Sequence, residues 1–171
     1  FVNTDDSDVD GFELNIFQEL NMLPEPFDGL FVSMNFTRTD GSSSLTVDNG
    51  TVTFPFRKLS EDVSNISIGY DKNKFDVRLS YVSRSPYLDY LADDDSETIQ
   101  EDLDNNNIRY TDDHTQIDFN LKYKINDNLS VKFDINNITD EPEFYYWGTP
   151  NRLSQYDEYG TTYSIGIRYN L

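Results

Sequence analysis

The chain has 171 residues, enough for one ordinary domain. Its 13 basic and 32 acidic side chains give a formal charge of −19, which repels nucleic acid and argues against a nucleic-acid role. The absence of cysteine excludes disulfides and thiolate metal sites, and no apolar run reaches the roughly 18 residues that a transmembrane helix needs, a test blind to strands.

Alternation then predicts seven strands. A strand turns successive side chains to opposite faces, so each run separates an apolar row from a polar one. The first spans about Val9 to Leu20, with Phe12, Leu14, Ile16 and Leu20 on one face; Phe17 and Gln18 break the pattern. After the turn-rich Leu23–Gly29, the second runs from Leu30 to Arg38 and sets Val32, Met34 and Phe36 against Ser33, Asn35 and Thr37. A polar connection is expected from Asp40 to about Asp62. The third (Val63–Tyr70) and fourth (Phe75–Val82) flank a hairpin turn at Asp71–Lys74. A long acidic connection, Ser83 to His114, carries Asp93, Asp94 and Asp95 and then Glu101, Asp102 and Asp104.

The last third alternates most cleanly. Ile117, Phe119, Leu121 and Tyr123 oppose Asp118, Asn120, Lys122 and Lys124. Leu129, Val131, Phe133 and Ile135 oppose Ser130, Lys132, Asp134 and Asn136. Both apolar rows are odd-numbered, so the turn at Asn126–Asn128 must hold an odd number of residues, and a three-residue turn with a left-handed Asn is expected. After the connection Asn137–Gly160, the seventh strand places Tyr163, Ile165, Ile167, Tyr169 and Leu171 on one face.

The connections alternate short, long, short, long, short, long. In an antiparallel meander this sorts every tight turn to one end and every long loop to the other. Outer-membrane barrels are built so, with short periplasmic turns and long extracellular loops. Tyr70, Tyr81, Tyr123, Tyr163 and Tyr169 lie near strand ends, as interfacial aromatics do. The expected lipid-facing side chains include Leu121, Phe133, Ile165 and Ile167. By parity the seventh strand runs inward, making the C-terminus periplasmic. The alternative is a soluble or surface-attached β-sandwich glycan-binding module, its apolar faces packed on each other.

Lys122-Tyr-Lys-Ile-Asn-Asp-Asn-Leu-Ser-Val131, Asp134-Ile-Asn-Asn-Ile-Thr-Asp-Glu-Pro142 and Gly160-Thr-Thr-Tyr-Ser-Ile-Gly-Ile-Arg-Tyr169 resemble the C-terminal signature of TonB-dependent outer-membrane receptors. Asp10–Leu14 and Leu23–Gly29 are similar to an earlier strand and its periplasmic turn. The resemblance implies an all-β antiparallel meander of about seven transmembrane strands from a barrel of about 22. It implies that residues 1–171 are the C-terminal segment, with earlier strands, the plug and its TonB box lying elsewhere. Phe1-Val2-Asn3 carries no export signal, so the start of an exported protein is expected elsewhere or removed. Leu171 departs from the aromatic that usually ends the family.

The implied function is TonB-energised import across the bacterial outer membrane. The implied partners are the TonB complex, the plug and remaining barrel, membrane lipid and lipopolysaccharide, and a small-molecule or oligosaccharide ligand. Tyr145–Tyr159 resembles a carbohydrate-uptake branch, so an oligosaccharide is the expected cargo, a siderophore or other metal chelate the next. Tyr145, Tyr146, Trp147 and Arg152 form a candidate ligand platform at the extracellular rim, which must be weighed against ordinary loop packing. No cofactor, no metal site and no catalytic set is read. His114 is the single histidine, expected as a solvated loop residue. Asp102, Asp104, Asn106, Asn107 and Asp113 echo calcium-loop spacing but lack its Gly and final Glu.

Overall fold

The computed structural model describes residues 5–47, 50–91 and 101–170. The strands are β1 (Asp6–Glu19), β2 (Leu30–Val47), β3 (Gly50–Pro55), β4 (Asp62–Lys72), β5 (Phe75–Arg84), β6 (Tyr87–Tyr90), β7 (Arg109–Thr111), β8 (His114–Lys124), β9 (Leu129–Asn136), β10 (Glu143–Trp147), β11 (Leu153–Asp157) and β12 (Thr162–Tyr169). The seven expected strands are β1, β2, β4, β5, β8, β9 and β12, and they pair in that order as an antiparallel meander. The fold is all-β, an open wall of a larger barrel.

Register carries the alternation across the whole wall. One apolar row runs Val32–Ile68–Leu79–Phe119–Ile135–Tyr163, and the next runs Leu30–Tyr70–Val77–Leu121–Phe133–Ile165. No element is stacked on this face among the described residues. Ile165 and Ile167, on an edge strand, are 77% and 75% exposed, while Leu121 and Phe133, flanked by strands on both sides, are half-buried. A sandwich would have buried these rows under a second sheet, so that alternative is not favoured. The 11 residues of β8, at about 3.3 Å each and tilted about 45°, climb about 25 Å, the height of a barrel's apolar band. Tyr81 and Tyr163 edge it toward the long connections; Tyr70, Tyr123 and Tyr169 edge it toward the short turns. At the upper edge Phe12 faces Arg38, whose guanidinium lies 3.7 Å from Asp62.

The short turns share one end. Asn73, left-handed at φ 59°, joins β4 to β5. The β8–β9 turn holds three residues, since the Ile125 amide donates to Leu129 O at 2.9 Å. The expected left-handed Asn is not there. Instead Asn126 Oδ1 accepts from the amides of Asn128 (3.0 Å) and Leu129 (2.9 Å), closing the turn from its side chain. The long connections share the other end and are more ordered than polarity suggested. Most of Asp40–Asp62 is the extension of β2 and its partner β3. The other two long connections supply β6, β7, β10 and β11, which join in a second sheet of order β11-β10-β7-β6. Asp93, Asp94, Asp95 and Leu171 lie outside the described residues.

The wall has no interior of its own, so the hydrophobic core sits in this loop layer. Leu45, Val52, Phe54, Leu88, Leu91 and Ile108 form it, with Leu103 and Tyr110 packed against them. Each fully buried aliphatic side chain contributes about 1.5–3 kcal/mol. Leu103 comes from a helical turn at 101–104, inside what reads in sequence as an acidic loop.

Candidate functional site

The loop layer leans over the polar side of the wall. On β2 the odd-numbered positions Ser33, Asn35 and Thr37 face the polar side, and Leu45, in phase with them, meets the core. The second sheet therefore turns one face to the β2–β3 arm and the other away from it.

β10 divides the predicted platform between these faces. Tyr146, 7% exposed, turns into the core and stacks on Tyr110, with centroids 5.5 Å apart and an interplanar angle of 21°. Tyr145 and Trp147 point the opposite way. Tyr145 pairs with Thr111, which pairs with Tyr87, so the three share that face. The Arg109 guanidinium sits 5.1 Å from the Tyr145 ring centroid and is held by Asp89, through Nε at 2.8 Å and a second contact from Nη2. A cation over an aromatic face adds about 0.5–2 kcal/mol, more as water is excluded. The Tyr145 hydroxyl donates to Glu143 Oε2 at 2.7 Å. That hydrogen bond, then burial, pushes the phenol well above its ordinary range. Arg84 lies 5.0 Å from the Tyr87 ring centroid and donates to Asp112 O at 2.7 Å.

Arg152 stands apart, exposed on the β10–β11 turn. Its Nη1 donates to Asn106 O at 2.9 Å. The backbone is tight here: Gly148 has φ 66°, its amide donates to Ile108 O at 2.7 Å, and a Cβ would run into Asn106. The platform thus resolves into a half-buried pair on one face, Tyr145 and Trp147, a packed ring on the other, Tyr146, and an exposed turn residue, Arg152. Alternation on β10 alone separates Tyr146 from its neighbours. Arg109, Asp89 and Tyr87 had no such signal, because β6 and β7 are only four and three residues long and their pairing shifts register between Leu88 and Tyr90.

Below this face the wall is lined with amides, hydroxyls and carboxylates. Asn35 donates to Glu13 (2.8 Å) and Asn15 (2.6 Å), Asn120 donates to Asp134 (2.8 Å), and Ser67 and Ser80 bond at 3.0 Å. His114 is half-buried at the start of β8, with Nε2 3.3 Å from Gln116, rather than solvated in a loop. Asp102 in the helical turn accepts from Asn107, just beyond it, at 3.0 Å, while Asp113 lies beyond β7. The Asn137–Glu141 corner closes on itself: Asn137, left-handed at φ 57°, donates from Nδ2 to Glu141 O and accepts the Glu141 amide, each at 2.9 Å.

The sequence model of a family described as TonB dependent receptor-like, beta-barrel, matches residues 1–138. The match takes in β1 through β9 and stops before β10 and β12. No curated protein and no solved structure matches the chain.

Proposed function

The chain belongs to the TonB-dependent receptor-like β-barrel family, transport receptors of the bacterial outer membrane, and from that premise we propose that it lines the import path for an oligosaccharide. The apolar rows meet membrane lipid, with lipopolysaccharide outside. The polar face lines the lumen, the long connections are extracellular, and the C-terminus is periplasmic. Residues 1–171 form the C-terminal wall, completed by strands that pair along the open edges of β1 and β12. A plug in the lumen couples the wall to the TonB complex.

The observation that carries the ligand reading is the face of Tyr145, Trp147, Tyr87, Arg109 and Asp89. Sugars bind where aromatic faces meet ring C–H groups and planar charged groups meet hydroxyls. The ion pair supplies both donors and acceptors, already oriented. The acidic loop surface disfavours an anionic cargo, which leaves a neutral oligosaccharide ahead of an anionic metal chelate. Tyr146 and Arg152 hold the platform in place from the core and the turn.

The test is equilibrium binding to the full receptor in detergent, with a panel of neutral oligosaccharides set against a ferric chelate. Tyr145→Ala and Trp147→Ala should each weaken oligosaccharide binding at least tenfold and leave the barrel folded. Chelate binding with no oligosaccharide binding would overturn the cargo. Unchanged binding in both variants would overturn the site.

A further inference from the structure

The short-turn end of the polar face carries a basic patch in a chain that is otherwise strongly acidic. Lys122 and Lys124 on β8, Lys132 on β9 and Arg168 on β12 lie on this one face, in phase with Asn120 and Asp134. Lys122 and Lys132 are direct cross-strand partners. Like charges directly opposite on neighbouring strands destabilise a sheet. Lys132 has a partial remedy, since its Nζ lies 2.9 Å from Asp134. Among the described residues Arg168 reaches the Asn170 amide oxygen, at 3.3 Å, and no carboxylate. Lys122 and Lys124 form no ion pair with any described carboxylate, although Asp76 is the cross-strand neighbour of Lys122 on β5. Gly166 stands opposite Lys132 and leaves the surface open above it. The result is a depression of about 330 Å³ lined by Lys122, Ser130, Lys132, Gly166, Ile167 and Arg168, beside another of about 390 Å³ that reaches Lys124 and Asn128 and includes one carboxylate, Asp127.

We propose that this patch seats an acidic peptide segment of the plug. The proposal rests on the lumen reading above. Cations in excess of the carboxylates beside them on the polar face call for an anion. The choice between a resident peptide and a passing anionic solute is decided by the other end of the path. The connections at that end carry Glu101, Asp102, Asp112, Asp113, Glu143 and Asp157, a negative surface that repels anionic solutes. A carboxylate-bearing segment held inside from assembly meets no such barrier. It offsets the Lys122–Lys132 repulsion and gives the plug a fixed, salt-sensitive hold on the last strands of the wall.

The experiment is zero-length carbodiimide coupling of the full receptor in detergent, followed by peptide mass spectrometry. This joins lysine amines only to carboxylates in contact. Lys72, 2.6 Å from Asp28, gives a link that reports successful coupling and a folded wall. The expected result is a link from Lys122, Lys124 or Lys132 to an Asp or Glu of the plug. It should be lost in Lys122→Glu/Lys124→Glu and restored when the plug carboxylate is exchanged for Lys. With the Lys72–Asp28 link present, links from the patch only to carboxylates of this chain (Asp76, Asp127 or Asp134), or none, overturn the proposal. Protection of the patch amines that appears only on adding an anionic solute overturns it too. Heat-modifiable migration of the receptor on gels reads the barrel separately, so failure of the patch and failure of the receptor reading are told apart.

Discussion

The ring of Phe31 lies directly over Gly69, its cross-strand partner on the polar face of the wall. Phe31 is 7% exposed, with the Arg78 guanidinium 5.3 Å and the Phe17 ring 5.7 Å from its centroid. A Cβ on Gly69 would overlap the ring. Gly69→Ala should therefore cost about 1–3 kcal/mol of folding stability, measured by urea titration of the receptor refolded into bilayers. The double variant with Phe31→Ala should lose less than the sum of the two single changes, because the collision is gone.

Leu121 and Phe133 face each other at mid-height on the apolar side. Leu121→Arg or Phe133→Arg should each destabilise the folded receptor by about 2–4 kcal/mol, falling toward zero for the same change near the edges of the band. The same titration reads it. Assembly indifferent to either change would mean that water, not lipid, meets this face.

Tyr145 and Tyr146 are adjacent in sequence and should fail in different ways. Tyr146→Ala empties a packed aromatic position and should loosen the loop layer by about 3–5 kcal/mol, seen as faster proteolysis between β9 and β12. Tyr145→Phe keeps the ring under Arg109 and loses only the hydrogen bond to Glu143. It should leave proteolysis unchanged and cost about 0.5–1.5 kcal/mol of ligand affinity.

Asp28 and Lys72 tie the β1–β2 connection to the end of β4, with Glu25 a more exposed third member 3.0 Å from the same ammonium. The hydrogen bond from Lys72 holds the Asp28 carboxyl below its ordinary value of 3.8. A lowered carboxyl contributes stability above that ordinary value and loses it as pH falls through the folded one. Asp28→Asn should lower stability at neutral pH and flatten its dependence on pH below 3.8. Parallel acid titrations of both proteins would show it, and identical acid limbs would refute it.

The wall was legible because one physical constraint, a sheet with one apolar and one polar face, writes itself on every second residue. Seven strands, the sorted connections and the odd-membered turn all follow from it. Phe17 broke the pattern for a reason that lies elsewhere in the chain: its ring joins Phe31 on the polar side. The loop layer was opaque because its strands are short and their partners distant. Leu45 and Leu103 sit among Ser, Thr, Asp and Asn, and only the packing of three connections together makes them a core. Arg109 and Asp89 meet across a register shift that no local rule anticipates.

Asn126 therefore guards more than a corner. Side chains flip at every step, so one residue inserted between Ile125 and Leu129 would rotate all that follows by half a turn. Lys132 and Asp134 would then join the apolar face of the wall, and Val131 and Phe133 the polar one. The instruction for which side of β9 is the outside, and through its pairing of β12 as well, is held in the length of three polar residues and two hydrogen bonds.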